Sequence, residues 1–273
     1  MGRYNVDVDA IKQDIFEADV LHVDETSIKS SQTYVEEDGK QVLKTKKRTT
    51  TNICVRTHST QTGGLMTVNP QKNDKGIERD GILTVFDGIL AHDHDKKFYK
   101  YGKLHATCGA HLLRNLKGRY ESFKIEWANV FRKFYSGLND YKKSMEVCSL
   151  EKFAEFRQRY EELLEVGKVE LAKMKPRRLD SDELRKMLKR LDDYKDSYLL
   201  FLLDLAVPYT NNQAERDLRL LKTKQKVSGC FRTYAGCVAF ARLKSHILTA
   251  KRRHKGVLDS IAELFPDPLQ ALA

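Results

Sequence analysis

The sequence has little of what marks secreted or membrane proteins. Its five cysteines are an odd number and lie far apart, at positions 54, 108, 148, 230 and 237. This usage is typical of a reduced intracellular protein and not of a disulfide framework. No apolar run approaches the roughly 20 residues of a membrane-spanning helix, and no secretory signal pattern opens the chain. We therefore expect a cytoplasmic protein without a membrane partner.

Two common kinds of catalytic motif are missing as well. The sequence contains no glycine-rich loop of the P-loop or dinucleotide-binding type, and no serine-nucleophile motif. It also has no internal repeat and no low-complexity segment. These absences argue against P-loop nucleotide hydrolysis, dinucleotide-dependent redox chemistry and serine hydrolysis.

Positive charge, by contrast, is in excess and is concentrated near the end of the chain. The formal net charge is +11. From Arg216 to Lys255 there are twelve lysine and arginine residues and one acid, Asp217, so this window accounts for the whole excess. Concentrated positive charge indicates a polyanionic partner, most simply nucleic acid. A solvated basic surface is the alternative.

The chain divides into three zones, 1–111, 112–207 and 208–273. The first is predicted to be α/β, with strands over 18–26, 49–59, 63–70, 88–94 and 103–108, a helix over 77–86, and a hairpin over 27–47 that turns at Asp38-Gly39. The second is predicted to be helical, because it is rich in Leu, Lys, Glu, Arg and Tyr and Pro176 is its only proline. Within it, Asp180 and Glu183 are spaced as a capping box, and Phe153, Phe156 and Tyr160 form a stripe typical of helix packing.

The third zone opens with the segment TNNQAERDLRLLKTKQKVSG, residues 210–229. Thr210, Asn211 and Asn212 are all suitable helix caps. An apolar face follows at Ala214, Leu218 and Leu221. A charged stripe repeats the same spacing, with one acid before three cations: Glu215, Arg219, Lys222 and Lys226. Further helices are predicted over 234–253 and 257–265.

Three acids are placed where they could meet. Asp24 and Asp93 each close an apolar strand pattern, and Glu215 lies near the start of a helix. Three carboxylates suit Mg²⁺ or Mn²⁺ better than Zn²⁺. Two such ions can promote attack on a phosphodiester and stabilise the leaving oxygen. The ordinary alternatives are a strand-end cap at Asp24 and a helical ion pair between Glu215 and Arg219.

The histidines allow a second kind of site. His105, Cys108 and His111 have the spacing H-x2-C-x2-H, which could hold zinc if a fourth ligand were supplied elsewhere. The alternatives are a buried Cys108 at a strand–helix junction and a His111 that faces the acids or caps a helix. His92 and His94 flank Asp93, and strand alternation would turn both away from it.

The segments VLHVDET, GILAHDH, LHATCGAHLLRNL and YTNNQAERDLRLLKTKQKVSGCFRT together resemble the catalytic domain of the insertion-sequence 66 family of transposases. That family consists of DDE transposases with an RNase H-like core. The resemblance implies an α/β fold in which an RNase H-like mixed sheet is flanked by helices. It also implies a large helical insertion, 112–207, between strand five and the Glu-bearing helix. The core would then consist of 1–111 and 208–273, the latter with basic DNA-binding helices.

Carried over residue by residue, the resemblance implies that Asp24, Asp93 and Glu215 are the catalytic acids and the ligands of two Mg²⁺ ions, for which Mn²⁺ can substitute. Asp87 is the alternative second acid, but Asp93 is preferred because it closes the apolar run. Cys108 and His111 are expected to contact the metal ligands. DNA contacts are expected from Asn211, Asn212, Arg216, Arg219, Lys222, Lys226 and Arg232.

The implied function is Mg-dependent phosphodiester hydrolysis followed by strand transfer in DNA transposition. The partner would be double-stranded DNA, both transposon ends and target, bound by a homodimer or larger assembly on the prokaryotic nucleoid. Thr210 stands where the family more often has Asp, and the chain begins close to the first strand, before which family members usually carry an end-recognition region. Two alternatives therefore stay open: a truncated, non-catalytic DNA-binding remnant, and a metal-dependent nuclease without strand transfer.

Overall fold

The computed structural model describes residues 8–37, 40–45, 50–144 and 148–264. The chain forms two compact units. Of the described residues, unit 1 contains those up to Leu90, the segment Asp95–Lys103, and those from Asn212 onwards. Unit 2 contains Ala91–His94 and Leu104–Asn211.

The strands are β1 (Val20–Ser30), β2 (Gln32–Glu37), β3 (Lys40–Thr45), β4 (Thr51–Ser59), β5 (Gly64–Asn69), β6 (Ile89–His92) and β7 (Leu104–Thr107). The helices are α1 (Val8–Phe16), α2 (Asp74–Asp80), α3 (Gly109–Phe123), α4 (Glu126–Ser144), α5 (Leu150–Lys173), α6 (Leu179–Asp193), α7 (Lys195–Leu203), α8 (Asn212–Ser228), α9 (Tyr234–Arg252) and α10 (Val257–Ala262), with a 3₁₀ helix at Lys96–Lys100.

The main sheet is mixed and has the strand order β5-β4-β1-β6-β7. Helices α3 to α7 lie between its last strand, β7, and α8 in the sequence. The fold is therefore α/β and RNase H-like with a helical insertion, as the resemblance implies. The five predicted sheet strands are confirmed. Helix α1 has no counterpart among the predictions.

The predicted hairpin is confirmed, with one change at its start. β2 and β3 pair antiparallel, with Glu37 opposite Lys40. Asp38 and Gly39, the predicted turn, lie outside the described residues. Ser27–Ser30 were predicted to belong to the hairpin, but they complete β1 because they pair with β4 as far as Ser30.

Unit 1 buries both faces of its strands. Leu21 and Val23 of β1 pack with residues of α1 and α2. Further along the same strand, Ile28 packs with Leu218 and Leu221 of α8. Each such side chain stabilises the fold by about 1.5–3 kcal/mol when it is fully removed from water. The two sides of β1 are thus assigned to different helices.

The predicted helix over 77–86 is wrong in its bounds. Asn73 caps α2 by accepting a hydrogen bond from the Gly76 N–H at 3.1 Å. Gly81 ends the helix in the left-handed conformation, at a φ of 64°. Glycine adopts this conformation without the strain that a side chain would add. The apolar residues after it form turns and pack into the core.

Helix α9 protects the edge strand of the sheet. The Ser245 hydroxyl accepts a hydrogen bond from the Met66 N–H at 2.8 Å, and the Thr249 hydroxyl accepts one from the Gly64 N–H at 3.2 Å. The Tyr234 hydroxyl donates to the Val68 carbonyl at 2.7 Å. These backbone groups of β5 would otherwise offer a pairing site to another strand.

Unit 2 has a core built largely from aromatic side chains whose polar atoms are satisfied. Tyr135 donates a hydrogen bond to the Tyr198 carbonyl at 2.8 Å, and Tyr160 donates to the Leu191 carbonyl at 2.9 Å. Both tyrosine rings are fully buried. The predicted aromatic stripe is therefore confirmed as helix packing through Tyr160.

The predicted capping box of α6 is wrong. The helix begins at Leu179. The Ser181 hydroxyl accepts a hydrogen bond from the Arg178 N–H at 3.3 Å and donates one to the Arg178 carbonyl at 2.9 Å, and it thereby caps the first turn. Glu183 instead accepts a hydrogen bond from Arg119 at 2.7 Å. A local spacing rule missed this partner because it lies on another helix.

In the part of the chain that the structure describes, every helix is too short or too polar to span a bilayer.

Replacing Gly167 with alanine should destabilise the protein. A Cβ at this position would approach Leu188 to 2.6 Å and Trp127 to 2.8 Å. The core would have to shift, at a free-energy cost of about 1–3 kcal/mol. Gly137 is the matched control, because a Cβ there meets nothing within 4 Å, and alanine should stabilise α4 by about 0.5–1 kcal/mol. Urea unfolding measures both, and equal stabilities would contradict this packing.

His58 should make stability depend on pH. It is fully buried on β4, and burial, with the positive charge of Arg56, lowers its pKa from 6.5 to about 3. The unfolded chain thus gains a proton below about pH 6.5 that the folded chain gains only near pH 3. The stabilisation is complete above pH 6.5 and is lost as pH falls towards 3, by up to about 1.4 kcal/mol per pH unit.

The measurement is the free energy of unfolding in urea between pH 7 and pH 5. His58→Leu should reduce the slope of this free energy against pH by up to about 1.4 kcal/mol per pH unit, which corresponds to one proton. His254→Asn, at an exposed position, is the control and should leave the slope as it is. A wild-type slope in His58→Leu would rule out His58 as the source.

Candidate active site

Asp24 lies half-buried within β1 and not at the end of the strand, where the sequence analysis placed it. The prediction failed because β1 stays paired with β4 for six further residues, up to Ser30. Side chains alternate along a strand, so Asp24 faces the same side of the sheet as Ile28. Ile28 packs against Leu218 and Leu221. Asp24 therefore faces the side that carries α8.

The next residue, Glu25, faces the opposite side and belongs to a buried ion network. Arg56 donates to Glu25 Oε2 through Nε at 3.1 Å and through Nη2 at 2.8 Å, and to Asp80 through Nη1. The Lys97 ammonium donates to Glu25 Oε1. Burial lowers the pKa of Lys97 to about 8, against the opposing effect of the Asp24 charge. Lys97 was not among the site residues predicted from the sequence.

Glu215 lies half-buried in the first turn of α8, in unit 1. The predicted apolar face of this helix is confirmed, since Ala214, Leu218 and Leu221 are at most 2% exposed. A helix advances 100° per residue, so Glu215 lies on one flank of this buried face. The acid is thus placed between the protein core and the exposed surface of α8.

The cationic stripe of α8 lies in solvent. The exposed cations in and just after this helix are Arg216, Arg219, Lys222, Lys226 and Arg232, and Asn212 is also exposed. Lys224 differs from them, since its ammonium lies over the Phe231 ring at 4.3 Å from the centroid. Exposed positive charge along a helix can receive the phosphates of a nucleic acid.

Asp93 belongs to unit 2 and follows β6 directly. His111 Nδ1 lies 3.3 Å from Asp93 Oδ1, and the Asn211 side-chain amide lies 3.5 Å from the same oxygen. Asn211 itself is fully buried. Asp87, the alternative second acid, is exposed and precedes β6. Of these two acids, Asp93 is the one whose carboxylate has polar side chains placed beside it.

Cys108 lies at the junction between β7 and α3, buried, as one of the sequence interpretations had it. Its Sγ accepts a hydrogen bond from the Asn211 N–H at 3.2 Å. One donor atom each from Asp93, Cys108 and His111 lies within 4.8 Å of the others. Two members of the H-x2-C-x2-H motif thus meet at Asp93, while the third, His105, lies elsewhere.

His105 is paired with His92, with His105 Nδ1 3.3 Å from His92 Nε2. His92 Nδ1 accepts a hydrogen bond from the His94 N–H at 3.2 Å, so its neutral ring carries the proton on Nε2. Burial, and then the nearby His105, lower the pKa of His92 to about 3. His94 leaves the strand pattern at a φ of 68°, and its ring stacks on Tyr198. Alternation therefore fails to describe His94, because β6 ends at His92.

A search against known protein families matches residues 6–239 to the family described as Transposase IS66 family. The chain belongs to this transposase family. The matched region includes all three predicted acids, one in β1, one after β6 and one in α8. The search of curated proteins and the search of solved structures each gave no match. Membership in the transposase family implies DNA binding and the use of divalent metal ions.

Proposed function

We propose that this IS66-family chain performs Mg-dependent phosphodiester hydrolysis and strand transfer in DNA transposition, with Asp24, Asp93 and Glu215 as its catalytic acids. The observation that carries the proposal is that the family match spans all three acids and the basic helix that bears the third. Water would attack the phosphodiester at a transposon end. The 3′-hydroxyl released there would then attack the target DNA.

The donor atoms fit the metal ions that the family implies. Asp24 faces α8 from the sheet, Glu215 lies on α8, and Asp93 supplies a third carboxylate, so all three offer the hard oxygen atoms that Mg²⁺ and Mn²⁺ prefer. Two bound Mg²⁺ ions would supply activation of the attacking oxygen and stabilisation of the leaving oxygen. His111 and Asn211 would keep the Asp93 carboxylate oriented.

Cys108 would not be a ligand of these ions. Its sulfur is a soft donor that Mg²⁺ disfavours, and it accepts a hydrogen bond from the backbone of Asn211. Cys108 would instead fix the backbone that leads into α8, while the side chain of Asn211 contacts Asp93. Of the two asparagines predicted to contact DNA, the exposed Asn212 is therefore kept in that role and Asn211 is assigned to orienting Asp93.

The exposed cations of α8 would hold the DNA backbone. Arg216, Arg219, Lys222 and Lys226 share the helix with Glu215, and Arg232 follows it. Phosphate contacts position a duplex without reading its sequence. These cations would therefore bring any double-stranded DNA to the acids, whatever its sequence.

Asp93→Asn and Glu215→Gln should each slow DNA cleavage by more than about a hundredfold, because an amide replaces a metal-binding carboxylate oxygen. Asp87→Asn is the matched control and should cleave like the wild type. The assay uses a plasmid carrying the DNA that flanks the gene, with Mg²⁺ or Mn²⁺. Full cleavage by Glu215→Gln, or loss of cleavage in Asp87→Asn alone, would refute the assignment.

The same assay separates the two alternative functions. A DNA-binding remnant would cleave no DNA even with Mn²⁺, although it would still bind. A nuclease without strand transfer would cleave, but would not join a supplied 3′-hydroxyl end to target DNA. Joined products in the wild type would exclude both alternatives.

The double variant Lys222→Ala/Lys226→Ala should bind every duplex DNA more weakly and should reduce the salt dependence of binding. Loss of two phosphate contacts lowers the slope of log K against log salt by about 2. The control is Lys152→Ala/Lys168→Ala on α5, where two lysines are already paired with Glu155 and Glu165. Fluorescence anisotropy across a salt series measures both, and equal slopes for the two double variants would refute a DNA role for α8.

A further inference from the structure

Asp217 is the one acid within the basic stretch that follows Glu215, and it is almost completely buried, with 5% of its surface exposed. It lies two residues after Glu215, which turns it about 200° around α8. Relative to the buried face of the helix, Asp217 therefore occupies one flank and Glu215 the other. Nothing in the proposed chemistry needs a carboxylate on that flank.

The carboxylate of Asp217 is held from two other elements. The Ser59 hydroxyl, at the end of β4, donates a hydrogen bond to Asp217 Oδ2. Arg252, in the last turn of α9, donates to the same oxygen through Nη2 at 2.5 Å. Through Nη1, Arg252 also donates to the Gly63 carbonyl in the turn between β4 and β5. One largely buried ion pair thus ties together α8, α9 and this turn.

A second contact acts on the same flank one turn earlier. The Gln213 side chain donates to the Thr60 carbonyl, in the same turn between β4 and β5. Gln213 and Asp217 are four residues apart and therefore lie above one another on the helix. Two directional contacts along one flank restrict rotation of α8 about its own axis. The apolar contacts of Leu218 and Leu221 are non-directional and restrict it less.

The contacts also connect α8 to the strand position beside Asp24. The Ser59 hydroxyl lies 3.2 Å from the Thr57 hydroxyl on β4. Thr57 is the register partner of Asp24 on β1. The buried hydroxyls of Thr57 and Ser59 thus connect the strand position opposite Asp24 with α8, the helix that carries Glu215. Both acids belong to unit 1.

We propose that Asp217, held by Ser59 and Arg252, is a positioning residue that fixes the rotation of α8 and so places the Glu215 carboxylate relative to Asp24. This inference rests on the proposed function. Metal sites need their ligands held to within about 0.5 Å, and a shift of about 1 Å can slow a reaction about a hundredfold. Asp217 contributes to the site through the helix and contacts neither metal nor DNA.

Asp217→Asn keeps the size of the side chain and removes the charge that pairs with Arg252. In the full chain, this variant binds Mn²⁺ about tenfold more weakly, measured by electron paramagnetic resonance, and cleaves DNA up to about a hundredfold more slowly. Its affinity for duplex DNA stays within about twofold, since the exposed cations remain. Loss of metal affinity at constant DNA affinity is the signature of positioning.

Asp14→Asn is the matched control, because Asp14 on α1 forms its ion pair with Arg253, beside Arg252, and not with a residue of α8. It keeps wild-type Mn²⁺ affinity and cleavage. If Asp217→Asn does not fold, Ser59→Ala removes one of the two donors and keeps the ion pair, and it shows the same losses at reduced size. Wild-type Mn²⁺ affinity in a folded Asp217→Asn or Ser59→Ala variant overturns the inference.

Glu215→Gln, measured alongside, distinguishes failure of the positioning role from failure of the proposed metal site. If it loses Mn²⁺ affinity while Asp217→Asn does not, the proposed function stands and the positioning role falls. If Glu215→Gln also binds Mn²⁺ like the wild type, the proposed metal site and the positioning role both fall.

Discussion

Arg56 is fully buried between Glu25 and Asp80, and the alignment of β1 with β4 depends on it. Arg56 and Glu25 are register partners on these strands. A buried ion pair is weak evidence of net stability, but loss of one partner typically costs about 3–5 kcal/mol because the other charge stays buried. A slip of one residue would turn Glu25 to the other face of the sheet. The pair therefore favours the register that turns Asp24 towards α8.

The two faces of β1 and β4 carry different polar networks around similar apolar packing. On the α2 side, Arg56 and its two acids oppose any slip of the strands. On the α8 side, Ser59 and Asp217 join the sheet to the helix. Apolar burial supplies most of the stabilisation on both faces, but it is tolerant of small shifts. The directional contacts determine which of the tolerated arrangements is adopted, and a catalytic site depends on that choice.

The features that could be predicted from the sequence are those set by local periodicity. The apolar runs of β4 and β6, and the face formed by Ala214, Leu218 and Leu221, repeat at strand and helix spacing and were found. The end of β1 was not, because Ser27 to Ser30 read as a polar hairpin until pairing with β4 is known. The start of α6 was also missed, because the spacing of Asp180 and Glu183 indicated a local cap, whereas Glu183 pairs with Arg119 on another helix.

The contacts that orient the candidate site lie beyond the reach of local patterns. Arg56 is 31 residues from Glu25 and 24 from Asp80, while Ser59 is 158 residues from Asp217. Each residue alone reads as an ordinary polar position in its strand or helix. Only the folded chain brings the partners together, so Asp217 appeared in the sequence as no more than one acid among twelve cations.

The charge pattern of α8 is unfavourable for an isolated helix. Arg219, Lys222 and Lys226 are neighbours at spacings of three and four residues, where like charges destabilise a helix by a few tenths of a kcal/mol per pair. Such a helix keeps its fold because its stability comes from the opposite side, through buried Leu218, Leu221 and the Asp217 carboxylate. The exposed surface is thereby left free to accumulate positive charge. Phosphates of a bound duplex would relieve that repulsion, so the stability of α8 and its proposed affinity for DNA would draw on separate sides of one helix.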